Sequence, residues 1–337
     1  MFLETLWFYI WGLLWAVYFV TDGFDLGAGM LLPFLGKDET AKRMIYNSVG
    51  PFWDGNEVWL ITAGGVTFAA FPNTYAMMFS SFYIALTLLL VALIIRGISF
   101  EYRSKTDSPA GKKLCDICQF TGSFLIALLV GVAFANIFRG LPIEDGVFTG
   151  SFFGLLNPYG IAGGVFFIAI FLLHGAVWLV VKTDGKLEQK AKSAASILWV
   201  AVLIITVAFL IYTYVETKLY ENYFNNPVLF VVPLSAVVAL VACRVFLAAS
   251  NAWKAWFSSA AFILSATFFC IIGLFPNMLP SRLDPESSLT CHNACSTPLT
   301  LKIMLGVVLF CVPIVLAYQI WAYVLFSKKV EQNQLVY

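Results

Sequence analysis

Nine apolar runs, each long enough to cross a lipid bilayer, constrain this chain more than any other feature of its sequence. A spanning helix needs about 20 predominantly apolar residues. The runs lie roughly at 6–32, 51–71, 74–97, 118–140, 157–182, 194–215, 227–247, 253–275 and 300–326. Backbone polar groups in lipid must be hydrogen-bonded within the protein, so such runs form helices. The sequence therefore predicts an all-α polytopic membrane protein of about nine transmembrane helices.

Composition agrees with a membrane environment and excludes other classes. Of the 337 residues, 61% are hydrophobic and only 12% are charged, whereas soluble domains carry roughly 25% charged residues. A soluble fold would leave much of this apolar surface facing water, so we expect membrane lipid to cover it. The net charge of +1 gives no reason to expect a nucleic-acid partner.

The distribution of basic residues predicts the orientation. If the N-terminus is periplasmic, 16 of the 20 Lys and Arg residues fall at inner helix ends and loops, and only Arg139, Lys218, Arg282 and Lys302 fall outside. Cytoplasmic loops are enriched in basic residues. We therefore expect a periplasmic N-terminus and a cytoplasmic C-terminus.

Carboxylates occur within two predicted spans, where they are costly. Asp22 and Asp25 lie in the first span, and Asp54 and Glu57 begin the second. A charged group at the bilayer centre costs at least about 2.5–3.5 kcal/mol, so it usually lines a cavity or pathway. Both pairs have i, i+3 spacing and each shares one helix face. At 1.5 Å per residue, all four are expected near the cytoplasmic end of their helices.

Three more charged residues leave the third span on the same side: Arg96, Glu101 and Arg103. Carboxylates and arginines from separate segments are thus expected in one cytoplasmic half of the membrane. This arrangement suits proton uptake from the cytoplasm. Two structural alternatives remain open. Asp54 could cap the second helix while Glu57 complements its dipole, and Asp22 and Asp25 could form a structural ion pair with Arg96.

Small residues accompany these carboxylates. Glycines at 23, 27, 29, 55, 64 and 65 are expected to let helices approach closely. We interpret them as packing devices.

The residues that could hold a metal or form a covalent link are few. Only two histidines are present, His174 in the fifth span and His292 in an outer loop, whereas each haem needs its own axial ligands. A redox metal is therefore expected mainly in a partner chain. Cys291 and Cys295 lie on the oxidising outer face, so a local disulfide is predicted, with free thiols or a metal site as alternatives.

Four motifs resemble one family of membrane proteins. They are Thr21–Gly27 (TDGFDLG), Gly50–Gly65 (GPFWDGNEVWLITAGG), Arg96 with Phe100–Lys105 (FEYRSK), and Leu156–Gly160 (LNPYG). Together with the length and helix order, they resemble subunit II of cytochrome bd quinol oxidases over essentially the whole chain.

The resemblance implies a fold and a set of partners. The fold is two pseudo-symmetric four-helix bundles, expected at 1–141 and 142–276, with a periplasmic loop and a peripheral ninth helix at 277–337. The implied partner is a haem-bearing subunit I that holds haems b and d and the quinol site, with no haem held by this chain alone. A bound quinone and a small third subunit are also compatible with the family. The implied location is the bacterial inner membrane.

The resemblance also implies roles for individual residues. Asp25, Asp54 and Glu101 would be members of a proton-uptake path, with Asp22 beside them. Family members often carry Asp where Glu101 stands. Trp59 matches a position that lines an oxygen route in some members.

Two other functions are weighed against the oxidase subunit. An ion-coupled secondary transporter would use Asp22, Asp25 and Asp54, but transporters usually place such sites near the midplane in both halves. The third function is a purely structural membrane subunit that orders a haem protein. The visible spectrum of the purified material would separate the transporter from the other two.

Overall fold

The computed structural model describes residues 1–331 and residue 335. Within these residues the chain forms thirteen α-helices and four short strands. The helices are α1 (Phe2–Leu35), α2 (Glu39–Val49), α3 (Trp53–Ala70), α4 (Pro72–Ser81), α5 (Tyr83–Arg103), α6 (Pro109–Arg139), α7 (Phe152–Leu155), α8 (Pro158–Lys182), α9 (Gly185–Glu216), α10 (Glu221–Asn225), α11 (Val231–Ala248), α12 (Ala252–Leu274) and α13 (Pro298–Leu325). The strands are β1 (Ile143–Glu144), β2 (Val147–Phe148), β3 (Asn277–Leu279) and β4 (Leu289–Thr290), paired antiparallel as β1–β2 and β3–β4.

The prediction of an all-α polytopic membrane protein is confirmed. Eight helices of the described chain are long and apolar enough to cross a membrane: α1, α5, α6, α8, α9, α11 with the 3-10 turn before it, α12 and α13. The predicted span at 51–71 corresponds to α3, which has 18 residues and carries Asp54, Asn56 and Glu57 within its first turns. These polar residues set α3 apart from the eight apolar helices.

The prediction of one continuous helix at 74–97 is wrong. The structure divides it into α4 and α5, which meet at Phe82. A short helix that the apolar runs did not indicate, α2, lies between the first and second spans. Its N-cap Asp38 accepts a hydrogen bond from the Ala41 N–H at 2.8 Å, as capping carboxylates do.

The long helices pack in a pattern that repeats between the two halves of the chain. In the first half, α1 packs against α3 and α6, and α5 against α6; in the second, α8 packs against α9 and α12, and α11 against α12. Across the halves, α1 packs on α8, α6 packs on α8, and α12 packs on α1. Each pairing has its counterpart, as expected of two related four-helix bundles. The bundle boundaries at 141 and 276 stay a prediction.

The crossing of α1 and α8 at the centre depends on small residues. A Cβ added to Gly27 would lie 1.9 Å from the backbone oxygen of Phe171, and one added to Gly175 would lie 2.4 Å from the backbone of Ala28. Only glycine allows two helix backbones to come this close. The close approach brings the C-terminal half of α1 into the middle of the protein.

Helix α13 lies at the periphery, as predicted for the ninth helix. Leu301 is its one buried residue, and the helix packs on α1 and α3. Beyond its inner end, the Lys182 ammonium at the end of α8 donates to the backbone oxygens of Phe326 and Lys328. This lysine therefore fixes the segment that follows α13.

Candidate functional site

A buried arginine on α5 joins carboxylates from two other helices. Arg96 is fully buried; its Nη1 lies 2.5 Å from Glu57 Oε1 on α3, and its Nη2 lies 3.2 Å from Asp22 Oδ1 on α1. Asp22 is also fully buried, and the Glu57 side chain is 19% exposed. The predicted ion pair between Arg96 and the first span is thus present for Asp22, and Glu57 is its second partner.

Asp25 belongs to the same region but has a different partner. Its Oδ2 accepts a hydrogen bond from Asn56 Nδ2 at 2.7 Å, and Asn56 Oδ1 accepts one from the Tyr323 hydroxyl of α13 at 2.8 Å. Asn56 Nδ2 also donates to the backbone oxygen of Thr21 at 3.0 Å. A hydrogen-bonded chain therefore leads from the peripheral helix through α3 to the carboxylate on α1.

Several buried polar atoms around these groups have no hydrogen-bond partner in the described part of the chain. They are the Tyr18 hydroxyl, Asp22 Oδ2, Asp25 Oδ1, Arg96 Nε and the Ser123 hydroxyl, while Asp22 Oδ1 and Arg96 Nη2 have only their ionic contact with each other. Buried polar atoms are normally hydrogen-bonded to protein or to ordered water. Their concentration around α1, α5 and α6 marks the most polar part of the interior.

This arrangement can hold and exchange protons. Asp22 and Glu57 contact the Arg96 guanidinium, and the Asp25 carboxylate lies one helical turn from Asp22. The guanidinium keeps its positive charge, because Arg stays protonated in proteins. One positive charge cannot neutralise three negative ones, so the cluster favours holding at least one proton. We call Asp22, Asp25, Glu57 and Arg96 the Arg96 cluster.

Asp54 and Glu101 lie outside this cluster. Asp54 is exposed in the first turn of α3, one turn before Glu57. It is not the N-cap, which is Phe52 and has no side-chain capping bond, so the capping interpretation of Asp54 is wrong. Glu101 is 51% exposed and forms an i, i+4 ion pair with Lys105 at 3.3 Å.

Arg103 forms a second ionic group at the C-terminal end of α5. Its Nε lies 2.6 Å from Asp116 Oδ1, and its Nη1 and Nη2 donate to the two Glu39 oxygens at 3.0 and 3.1 Å. Asp116 also pairs with Lys42 at 2.8 Å. The guanidinium of Arg103 stacks over Tyr46, 4.9 Å from the ring centroid. The predicted ion-pair role of Arg103 thus involves α2 and α6.

Sequence reasoning missed polar residues that lie between these two ionic groups. The buried Ser99 hydroxyl lies 2.6 Å from Gln119 Oε1, and a Cβ added to Gly29 of α1 would lie 2.2 Å from the Ser123 hydroxyl and 3.0 Å from Gln119 Nε2. Gln119 and Ser123 are spaced i, i+4 on α6. That spacing of polar residues on an apolar helix was the signal available in the sequence.

Trp59 faces α13. It is buried, and its Nε1 donates to Gln319 Oε1 at 2.9 Å, while Gln319 Nε2 donates to the backbone oxygen of Gly55 at 2.9 Å. An apolar cavity of about 540 Å³ lies on another side of α3, between α3, α4, α5 and α6, and Leu60, Gly64 and Leu89 are among its lining residues. Trp59 is not among them.

The remaining predicted site residues are in the outer loop and in α8. Cys291 and Cys295 are free thiols in the structure, so the predicted disulfide is not formed there; Cys295 Sγ lies 3.4 Å from the backbone oxygen of His292. His174 uses both ring nitrogens, at 2.7 Å from the Ser259 hydroxyl and 3.0 Å from the Val20 oxygen. Within the described residues, no three His, Cys, Asp or Glu side chains are placed to hold a metal.

Comparisons with known proteins agree with one another. A family model described as cytochrome bd terminal oxidase subunit II matches residues 3–326. A probable cytochrome oxidase subunit 2 of Haemophilus influenzae is 37% identical over 98% of this chain and 96% of its own length. Cytochrome bd-I ubiquinol oxidase subunit 2 of Escherichia coli is 37% identical over 95% of this chain and 93% of its own.

A further relative and a solved structure extend these matches. Cytochrome bd ubiquinol oxidase subunit 2 of Bacillus subtilis is 34% identical over 98% of both chains. A chain in the structure of the bd oxidase from Geobacillus thermodenitrificans superposes with a TM-score of 0.78, covering 96% of this chain and 99% of that one at 16% identity. The structural match shows a shared fold.

Proposed function

The chain belongs to the cytochrome bd terminal oxidase subunit II family, and on this premise we propose that it delivers protons from the cytoplasmic side to a haem-bearing subunit I. As a family member, it is a subunit of a quinol oxidase in a multi-pass membrane complex. Reduction of dioxygen to water consumes protons, which must cross an apolar barrier to reach a buried reaction site. The observation that carries the proposal is the Arg96 cluster, which joins α1, α3 and α5 inside the membrane.

The burial gradient suggests an order for the path. Asp54 is exposed, Glu57 one turn later is partly buried, and Asp22 on the far side of Arg96 is fully buried. Glu101, exposed near the C-terminal end of α5, would collect protons from the cytoplasm. Protons would pass between these groups through water, because the unpartnered oxygens of Asp22 and Asp25 need hydrogen-bond donors.

The cluster could instead be purely structural. Buried ion pairs are weak contributors to stability, since desolvation offsets much of the attraction. A hydrophobic interior would serve packing equally well, so three carboxylates around one arginine favour a role in proton transfer. The transporter alternative finds no support in the family membership.

The test replaces single carboxylates in the assembled oxidase. Asp25→Asn, Asp22→Asn and Glu57→Gln each keep the shape of the side chain and remove its proton exchange. We expect oxygen consumption to fall by about 10²-fold or more, the usual contribution of a proton-transfer group, while the haem spectrum stays normal. The matched control is Glu188→Gln, an inner-side carboxylate paired with Lys329 outside the cluster.

Two outcomes would contradict the proposal. Full turnover in all three variants would show that protons take another route. Loss of haem in proportion to the loss of activity would show that the cluster holds the complex together instead. Proton uptake measured in proteoliposomes separates these cases, because only a relay variant slows uptake in a complex with full haem content.

The apolar cavity supports a second proposal, that the subunit binds the tail of a quinone. Its volume of about 540 Å³ lies within the usual range for ligand pockets, and a Cβ added to Gly64 would meet nothing within 4 Å. Gly64→Leu should therefore fill the cavity without a clash and lower the quinone that co-purifies with the oxidase. Gly306→Leu, also in open space but on α13, is the control, and unchanged quinone in Gly64→Leu would refute the proposal.

Trp59 as part of an oxygen route remains a proposal from family likeness. Its burial between α3 and α13 supplies an apolar wall at this position. Trp59→Ala would be expected to alter the apparent affinity for oxygen if the route passes here. Haems b and d in subunit I, and a small third subunit, are likewise proposed from the family.

A further inference from the structure

A group of basic side chains in the second half of the chain plays no part in the proposed proton path. Lys192 on α9 donates from Nζ to the Ser250 hydroxyl in the α11–α12 turn at 2.7 Å. Arg244 on α11 donates from Nη1 to the Ser196 hydroxyl of α9 at 3.0 Å. Ser196 lies one helical turn after Lys192, so Arg244 contacts α9 one turn away from Lys192.

A third cation, Lys254, follows four residues after Ser250, the partner of Lys192. Lys254, in the first turn of α12, places its Nζ 5.6 Å from the centroid of the Phe246 ring on α11. Lys192, Arg244 and Lys254 therefore lie on three different helices, all at the end that the distribution of basic residues assigns to the cytoplasm. We call these three residues the α9–α12 basic cluster.

The charges of this cluster are not neutralised within the described chain. No carboxylate of residues 1–331 forms an ion pair with any of the three. The acidic residue one turn before Lys192 is Glu188, which pairs with Lys329 at 2.7 Å. By contrast, Arg96, Arg103 and Arg139 each have carboxylate partners.

The depth of the cluster limits what can neutralise it. Arg244 lies four residues before the end of α11, about 6 Å inside that end, and Lys192 lies two residues before the apolar run 194–215 of α9. Long basic side chains at such depth extend towards the headgroup region of the bilayer. A phosphate at the level of the lipid headgroups is therefore within their reach.

An apolar surface continues outward from the cations. Val241 and Val237 lie three and seven residues before Arg244, on the same face of α11, and both are exposed. On α9, Val200 is one turn beyond Ser196 and is also exposed. Exposed Trp253 and Phe257 flank the start of α12, where aromatic side chains are typical of the membrane interface.

We propose that the α9–α12 basic cluster binds the phosphate of an anionic phospholipid, whose acyl chains lie along the exposed aliphatic faces of α9 and α11. The guanidinium of Arg244 would contact the phosphate oxygens, since its planar donors match their geometry, and the two ammonium groups would add charge. Anionic lipids are enriched in the cytoplasmic leaflet, where they attract basic side chains. This inference is independent of the proton path.

The test measures lipid binding to the assembled oxidase by native mass spectrometry. Phosphatidylglycerol is titrated into the delipidated complex, with phosphatidylcholine as the zwitterionic comparison. Each cation removed should weaken phosphatidylglycerol binding about fivefold, so we expect Arg244→Gln with Lys192→Gln to weaken it about 25-fold. Arg244→Lys, which keeps the charge, should lose much less. Lys190→Gln on the same helix, exposed and outside the cluster, should leave binding unchanged.

Several results would overturn the proposal. Equal retention of phosphatidylcholine would show that charge recognition is absent. Displacement of the lipid by millimolar inorganic phosphate would identify a site for free phosphate instead. Release of the haem-bearing subunit from the Arg244→Gln complex would show that the cations pair with that protein. The haem spectrum of each variant verifies that the complex measured is assembled.

Discussion

At the scale of single residues, Arg96 is the side chain on which the other members of its cluster depend. It is fully buried and contacts both Asp22 and Glu57. Removing one partner of a buried ion pair leaves an uncompensated charge, which usually costs about 3–5 kcal/mol. Replacing Arg96 should therefore lower the stability of the protein more than replacing either carboxylate.

The first prediction concerns the thermal stability of the assembled oxidase. Arg96→Gln should lower its stability by roughly 3–5 kcal/mol, measured as the midpoint of thermal unfolding. Arg139→Gln, which breaks a partly exposed pair with Glu216, should cost less than about 1 kcal/mol. Adding Asp22→Asn to Arg96→Gln should recover part of the lost stability, because it removes a carboxylate that Arg96 no longer neutralises. A further fall in stability would contradict the interpretation that Arg96 neutralises Asp22.

The second prediction concerns the outer-loop thiols. Burial raises the pKa of the Cys291 thiol to about 11, and the thiolate is the reactive form. If the thiol is free, its alkylation should be slow at pH 7 and accelerate steadily towards pH 11, because a raised pKa leaves little thiolate at neutral pH. Mass spectrometry under non-reducing conditions measures the modification. If Cys291 is not alkylated at any pH and the mass of the protein is lower by two hydrogen atoms, the disulfide predicted from the sequence is present.

The residues of the site were only partly predictable. Asp22, Asp25 and Glu57 stand out in the sequence because a charge in an apolar run is costly. Asn56 and Tyr323 do not, since amides and tyrosines are common at helix ends, and their contact joins segments far apart in the chain. Whether Asp54 and Glu101 face the cluster or the surface depends on helix rotation, which spacing alone leaves open.

At the scale of helices, only some of the glycines predicted to allow close helix packing do so. An added Cβ would clash at Gly23, Gly27 and Gly29 of α1, as expected of packing positions, whereas Gly55 and Gly64 of α3 meet nothing within 4 Å. Gly65 is also in open space. Interpreting the α3 glycines as contacts between helices of this chain is therefore wrong. They open a surface on α3 that another molecule can approach.

The third prediction tests the crossing of α1 and α8. Gly27→Ala would place a methyl group 1.9 Å from the Phe171 backbone oxygen, and the backbone cannot move aside without displacing α8. We expect a loss of at least about 2–3 kcal/mol in stability and reduced assembly of the oxidase, followed by thermal unfolding. Gly306→Ala in open space on α13 is the control. Wild-type stability in Gly27→Ala would mean that the helices cross differently.

Helix boundaries show where hydropathy stops being informative. The apolar run at 74–97 continues across Phe82, so hydropathy alone gives one helix although the backbone forms α4 and α5. Helix α6 begins at Pro109, well before the predicted start at 118, because its inner end is polar. The number and order of the long helices follow from the sequence, but their ends depend on tertiary contacts.

At the scale of the whole molecule, the two halves share a packing scheme but differ in their interiors. The first half buries the Arg96 cluster, whereas the second buries His174, held by two hydrogen bonds, and Lys182 at the inner end of α8. Lys182 was not foreseen as a buried residue, because a lysine at the end of a span usually reaches the headgroups. The polar chemistry is thus concentrated in one bundle, beside the exposed face of α3.

The fourth prediction follows from that exposed face. Asp54 and the open glycines of α3 would contact acyl chains if the subunit stood alone in the bilayer, and a carboxylate in lipid is unfavourable. We expect the protein to be degraded several times faster in cells that lack subunit I, as measured by pulse-chase labelling. Asp54→Leu should lengthen the lifetime of the unpaired subunit. Equal lifetimes with and without subunit I would place the partner surface elsewhere.

The contact between Tyr323 and Asn56 has a consequence for the timing of biogenesis. Asp25 and Asn56 leave the ribosome long before Tyr323, which follows Asn56 by more than 260 residues. The hydrogen bond from Tyr323 to Asn56 can form only after α13 has inserted. Translation must therefore have passed α13 before Asn56 receives its bond from Tyr323, so a product terminated before α13 would carry Asp22, Asp25 and Arg96 yet lack the tyrosine that completes their surroundings.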